Sequence, residues 1–326
     1  MKLSQETTMK SVNRTKRSAG VFIIKMLFAA LTHRADCILP APKYPSLIEV
    51  DPALHLLCMI PSTICDKVVV LARGLGRRMR HSDSSARVDA AQSEVADAGI
   101  KALIPIGRPF LDYSLSSLAA AGFRQICLVI GPEHDRVRSY YSNLPIKRFQ
   151  LAFAIQSEPL GTANAVVAAE EFVGDEPFVV INSDNYYPEQ VLSVLRCLDE
   201  PGTVLFQQDA LVRNSNIPAN RVQTYAYCAI DSDGYLLDIR EKPEKSDPNA
   251  LVSMNCWRFD SRIFPFCKSI PRSSRNEYEL PAAVRSAIKG GIRFKAVRSM
   301  EGVLDLSQRS DISAVAERLK NSEVEL

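Results

Sequence analysis

From residue 67 onward the hydrophobic positions alternate between two periods. Lys67-Val68-Val69-Val70-Leu71-Ala72 is a short β-branched run ending in a glycine loop, the pattern of a strand buried on both faces. Leu103-Ile104-Pro105-Ile106 is a second apolar run. Asp112 then opens an apolar-periodic helix that stops at Gly122. Gln125 to Ile130 predicts the next strand, 134–142 a helix, Phe149 to Ile155 an alternating strand, and Pro177 to Asn182 another buried run. This β-α-β-α-β order predicts an α/β fold: a Rossmann-like three-layer sandwich with a mainly parallel mixed sheet. Ligands of such sheets bind beyond the carboxyl ends of the strands.

The second half changes character. Thr203 to Phe206 and Tyr225 to Ile230 read as strands, Asp231-Ser232-Asp233-Gly234 as a hairpin turn, and Tyr235 to Arg240 and Ser253 to Phe259 as further strands, a smaller β-rich subregion. Glu279 to Ile288 predicts a helix closed by Gly290-Gly291, and Ser310 an N-cap for a last helix, 311–320. Residues 81–99, rich in Ser, Asp and Ala, read as a mobile insertion beside the glycine loop. No internal repeat is present, so no hexapeptide β-helix is appended.

Residues 1–66 differ from the rest. A polar, basic start precedes Val21 to Leu31, an apolar stretch too short to span a bilayer and interrupted by Lys25. The segment is expected to be a poorly ordered extension, with Met59 an alternative start; intact-mass measurement showing residues 1–58 in the native protein would exclude that start. Residues 321–326 are expected to form a short tail.

Net charge is +3, and residues 1–66 carry all of it; the remaining 32 basic and 32 acidic residues cancel. A neutral body argues against a nucleic-acid partner. The eight cysteines form no C-x-x-C pair and sit apart from the four histidines, so a zinc site is not expected. They read as buried free thiols of a reducing compartment, the cytoplasm, with no membrane partner. Trp257, the only tryptophan, reads as core.

The candidate chemistry starts at Leu71-Ala72-Arg73-Gly74-Leu75-Gly76-Arg77-Arg78-Met79. Glycines let backbone N–H groups approach phosphate oxygens, and Arg78 can add charge-assisted bonds. The loop lacks the lysine of a P-loop and the third glycine of a dinucleotide fold, which argues against a nicotinamide-dependent oxidoreductase. Further along stand Lys101 to Pro109, Gln156-Ser157-Glu158-Pro159-Leu160-Gly161-Thr162, Val179 to Asn185, Arg240-Glu241-Lys242-Pro243 and Val303-Leu304-Asp305-Leu306.

In order and spacing, over roughly residues 67–320, these segments resemble the motifs of the sugar-1-phosphate nucleotidyltransferase (nucleotide-sugar pyrophosphorylase) family. The resemblance implies that 67–320 is a nucleotidyltransferase domain. It implies transfer of a nucleoside monophosphate from a nucleoside triphosphate (NTP) to a sugar 1-phosphate, with pyrophosphate leaving. The nucleophile is already an anion, so positioning and charge neutralisation carry the rate. The resemblance makes Arg78, Lys101 and Lys242 the catalytic cations. It gives Leu71, Ala72, Gly74, Gly76, Gln156, Gly161 and Thr162 to the nucleotide, Glu241 and Asn255 to the sugar, and Asp184 and Asp305 to Mg2+. Self-association is left open.

Four positions and one segment depart from that pattern. Arg73 replaces the second alanine of L-A-A-G, Arg77 the threonine of G-T-R, Arg108 the lysine of K-P and Val303 the tryptophan of W-x-D, while Ser253 to Trp257 stands where N-A-G-x-Y is usual. The first three keep or add positive charge; the last two bear on the sugar and the second metal ligand. A catalytically silent regulatory relative, or a transferase for a non-sugar phosphate such as phosphocholine, are the alternatives.

Overall fold

A computed structural model of the 326-residue chain describes residues 64–326 except 85, 242–246 and 248. Residues 1–63 of the extension expected at 1–66, and the candidate Lys242, lie outside the described residues, while Cys65 of that extension is buried against the fold. The sheet is built on β1 (Lys67–Leu71), β2 (Gln125–Ile130), β3 (Gln150–Ile155) and β4 (Phe178–Asn182), all parallel in the order β4-β1-β2-β3. The apolar runs explain this directly. Val68 and Val70 point into one core with Ile126, Leu128, Val179 and Ile181. Val69 and Leu71 point into the opposite core with Cys127, Val129, Phe178 and Val180. A strand that is apolar at every position is stable only between two helical layers.

One layer comprises α3 (Phe110–Ala120), α4 (Asp135–Ser142) and α7 (Glu189–Cys197), which bury Leu115, Tyr141 and Leu195. The other comprises α5 (Thr162–Ala168), α10 (Ile263–Ser269) and α11 (Leu280–Lys289), which bury Val166, Phe264 and Val284. The expected three-layer sandwich is the observed one.

Beyond β4 the sheet becomes mixed. β6 (Gly202–Gln207), β9 (Leu251–Phe259) and β10 (Lys295–Ser299) extend it in the order β10-β6-β9-β4, with β9 antiparallel to both neighbours. The hairpin of β7 (Ala226–Ile230) and β8 (Leu236–Arg240) turns at Asp231 to Gly234 as its sequence predicts, and β7 pairs with β9. Trp257 is fully buried among Phe259 and Phe294. Of the six described cysteines, five are buried and Cys197 is exposed; all are free thiols.

Two local expectations are corrected. Residues 81–99 are not a bare insertion: α2 (Ala90–Ala98) starts at a capping box between Asp89 and Gln92 and ends at Gly99. Val95 and Ala96 pack in a third core with Met79, Ile106, Phe110 and the last helix, α12 (Asp311–Leu319). Ser310 does not cap α12. It has helical backbone and accepts from Gln308 Nε2, while the buried Asp311 carboxylate takes the backbone N–H groups of Ser307 and Gln308. The same carboxylate also pairs with Arg221 Nη1 at 2.9 Å. The final residues dock: Glu325 N–H donates to Ser116 Oγ, and Lys147 N–H to the Leu326 carbonyl.

Candidate active site

The glycine loop leaves β1 at its carboxyl end. Ala72 N–H still bonds the Val129 carbonyl, and Ser183 N–H bonds the Leu71 carbonyl, so loop and β4 end are tied side by side. Gly76 has φ 59°, and a Cβ there would sit 2.2 Å from the Gly99 oxygen. Only glycine lets the loop cross the end of α2 so closely. The single turn α1 (Arg77–Arg80) is anchored by the buried Met79, which leaves Arg77 and Arg78 exposed.

A cavity of about 420 Å3 opens there, lined by Leu71 to Arg78, Lys101, His134, Gln156, Gly161, Thr162 and Asp184 among others. The whole nucleotide-binding set read from the sequence therefore meets in one place. Gln156 is buried; its Nε2 donates to the Gly161 carbonyl at 3.0 Å and to Asn164 Oδ1 at 2.9 Å. Both partners only accept in these bonds, so the amide is held with Oε1 as its remaining hydrogen-bonding atom. Gly161 has φ 102° and passes against the backbone of Tyr278, whose N–H bonds the Leu160 carbonyl at 2.7 Å and whose carbonyl accepts from Ala163.

Asp184 follows β4 and is paired: Lys101 Nζ, on the turn Lys101–Leu103 after α2, lies 2.5 Å from its Oδ2. A carboxylate at the end of an apolar strand thus finds the partner its burial requires. Asp305 lies in β11 (Leu304–Asp305), paired with β5 (Asn185–Tyr186). It is buried and accepts from Tyr225 Oη at 2.8 Å and Ser307 Oγ at 2.7 Å, with Asn185 Nδ2 at 3.5 Å. Burial, and then the charge of Asp184, push its carboxyl above the usual range against the pull of Ser307 and Arg221. Asp184 lines the cavity, whereas Asp305 is not among its lining residues.

A second cavity, about 690 Å3, adjoins the first and is lined by Glu241, Asn255, Tyr225 and Glu279. Asn255 holds φ 58°, donates to Asn182 Oδ1 at 2.7 Å and accepts from Trp257 Nε1. Asparagine is among the few residues that tolerate this backbone region. Glu241 accepts from Arg275 Nη2 at 2.9 Å. Arg78, Thr162, Asn182, Arg275 and Glu277 line both cavities. Arg78 makes no ion pair among the described residues.

Among the lining residues that the sequence reading missed are Arg275 and Glu277. They sit on a turn closed by Ser273 N–H to the Glu277 carbonyl, and Arg275 also pairs with Glu279 at 2.7 Å. The positive φ of Asn276 and the serines before it are turn signals, but nothing in them points to a site.

Together these features define a doubly wound α/β protein whose cavities lie beyond the carboxyl ends of its parallel strands, next to a glycine loop. The chain belongs to the nucleotidyl transferase family, whose model matches residues 96–321. It is 24% identical over 255 residues to the UTP–glucose-1-phosphate uridylyltransferase AglF of Haloferax volcanii, covering 78% of this chain and 96% of that protein. It is 26% identical to a glucose-1-phosphate thymidylyltransferase of Streptomyces antibioticus, covering 71% of this chain and 60% of that one. It spans about half the length of several longer relatives. A crystal structure of a UDP-glucose pyrophosphorylase complexed with UDP-glucose superposes with a TM-score of 0.62 over 80% of this chain and 100% of that one, at 17% identity, a likeness of fold.

Proposed function

We propose that this chain transfers a nucleoside monophosphate from an NTP to a sugar 1-phosphate, releasing pyrophosphate and forming an NDP-sugar in the cytoplasm. The observation that carries the reading is the shared wall of the two cavities, with Arg78 exposed to both. Transfer between two polyanions needs adjoining sites and a cation at the junction, where the α-phosphorus would be attacked.

In this reading Gly74 and Gly76 bring backbone N–H groups to the triphosphate, Leu71 and Ala72 form the wall beneath the nucleotide, and Gln156, Gly161 and Thr162 hold the base side. Arg78 neutralises charge at the α-phosphate, and Lys101 turns from Asp184 to the leaving pyrophosphate. Glu241 and Asn255 meet sugar hydroxyls, and Lys242 the sugar phosphate. The relatives named above are uridylyl- and thymidylyltransferases of glucose 1-phosphate, which supports a sugar 1-phosphate as acceptor.

Mg2+ fits at Asp184. That carboxylate faces the cavity with a quarter of its side chain exposed, beside a second carboxyl that its charge disturbs. Asp305 would join as a ligand by releasing Tyr225 or Ser307. When bound, the ion would offset charge on the phosphate oxygens.

The test is a panel of NTPs and sugar 1-phosphates with Mg2+, followed by pyrophosphate release. Absence of turnover with every pair, alongside tight NDP-sugar binding, would instead support a silent regulatory relative.

A further inference from the structure

Arg78 is carried by a very short element. α1 is a single turn in which Arg80 N–H bonds the Gly76 carbonyl at 2.9 Å. A lone turn does not hold itself together, because fixing its backbone costs more than its few hydrogen bonds return. Its position is set from outside. Met79 is buried in the third core, and Arg80 Nη2 donates to the Ala98 carbonyl at the end of α2.

A further tie comes from 228 residues away. Arg309, on the turn between β11 and α12, donates Nε to the His81 carbonyl at 2.9 Å and Nη2 to the Arg80 carbonyl at 3.4 Å. Nη2 also pairs with Asp97 of α2. The Arg309 side chain is only 7% exposed. Stability alone would favour an apolar residue in so buried a place, since pairing barely repays the desolvation of a charge. What the guanidinium adds is direction: charge-assisted bonds to two successive carbonyls fix where the Arg78 turn ends. The turn that carries Arg309 is itself part of the site. Ser307 lines the first cavity, and its Oγ donates to Asp305. Arg309 is not among the residues lining either cavity.

We infer that Arg309 is a positioning residue for the reaction: by holding the Arg80 and His81 carbonyls it sets Arg78 at the junction of the two cavities, without touching substrate. This rests on the proposed nucleotidyl transfer. Transfer between two polyanions depends on alignment, and a catalytic group displaced by about 1 Å can lose 100-fold in rate.

The experiment is steady-state pyrophosphate release by the full chain with Mg2+. Arg309→Met and Arg309→Lys are each made in the wild type and in Arg78→Ala. Lysine keeps a charge but offers one nitrogen in place of the two that arginine uses here. In the wild-type background both variants should lower kcat on the order of 10- to 100-fold, with KM for the sugar 1-phosphate within about threefold. In the Arg78→Ala background neither should lower kcat by more than about threefold, because the group that Arg309 positions is gone. Arg309→Lys gives the reading if Arg309→Met does not fold. Equal losses in the two backgrounds would make Arg309 a general prop of the fold and overturn the inference while leaving nucleotidyl transfer intact. An unchanged kcat in a folded Arg309 variant would do the same. A wild type that releases no pyrophosphate with any NTP and sugar 1-phosphate would overturn the transfer itself, and the inference with it.

Discussion

Replacing Gly161 by alanine perturbs two parts of the site at once. The residue combines φ 102° with ψ 179°, a backbone region that is essentially glycine-only, and forcing alanine into it costs about 1–3 kcal/mol. The added Cβ would also sit 2.6 Å from the Tyr278 carbonyl oxygen and 2.9 Å from Tyr278 N, which are backbone atoms with little freedom to retreat. Relief requires separating the two segments, at the expense of the bonds from Tyr278 N–H to Leu160 and from Ala163 N–H to Tyr278, about 1 kcal/mol each. The sum, about 3–5 kcal/mol, is a large share of a typical domain's stability. Gly291 is the control: its φ is 91°, yet nothing lies within 4 Å of a Cβ there, so alanine should cost only the strain. Urea unfolding of the two variants, with slopes unchanged, should separate them by about 2 kcal/mol. NTP affinity should fall in Gly161→Ala alone, because the Gly161 carbonyl holds Gln156 Nε2. Equal destabilisation by the two alanines would refute the claim that close approach to Tyr278 is what demands glycine at 161.

Asp184→Asn should lower Mg2+-dependent turnover roughly 100-fold or more while the fold survives; pyrophosphate release at an unchanged rate would dismiss its role. Brief iodoacetamide treatment at pH 8 followed by mass spectrometry should label Cys197 among the six described thiols. Cys65, Cys127, Cys228, Cys256 and Cys267 are buried, and burial pushes each up to about 12, so native labelling of Cys256 would contradict the position of β9.

The parallel half of the sheet was legible because β1, β2 and β4 are apolar on both faces, and only a layered α/β fold can bury them. The helix at 90–98 was not. It contributes only Val95 and Ala96 to a core, too thin a stripe to register as a period. Its order comes from the Asp89–Gln92 cap and from long-range ties such as Arg309 to Asp97, which no local window contains. The same division holds at the site. The glycine loop, Gln156, Gly161 and Asp184 end strands or open helices, where sequence pattern and position coincide. Arg275 and Glu277 reach the cavities only because Tyr278 bonds Leu160, a contact that has no signature in either segment. Lys101 and Asp184 were each legible, but their 2.5 Å pairing was not.

Arg73 and Arg77 read in the sequence as added positive charge beside the catalytic candidate Arg78, and the structure separates the arginines of the loop. Arg73 is neutralised by Glu133, and Arg80 is turned away to the Ala98 carbonyl. Arg77 and Arg78 are both exposed, but only Arg78 borders the second cavity as well as the first. A cation at the junction can follow charge as it moves from the triphosphate to the new bond, whereas one beside a single cavity holds substrate and transition state nearly alike. Uniform binding of that kind changes KM and not kcat. Arg77→Thr, which installs the residue the resemblance leads one to expect, should therefore raise KM for the triphosphate and leave kcat within about threefold of wild type, an effect below 1 kcal/mol on the chemical step. Arg78→Ala should lower kcat roughly 100-fold, in the range for loss of one charge-stabilising donor. Steady-state kinetics on the two variants decide the matter, and equal losses of kcat would mean that the junction position carries no special weight.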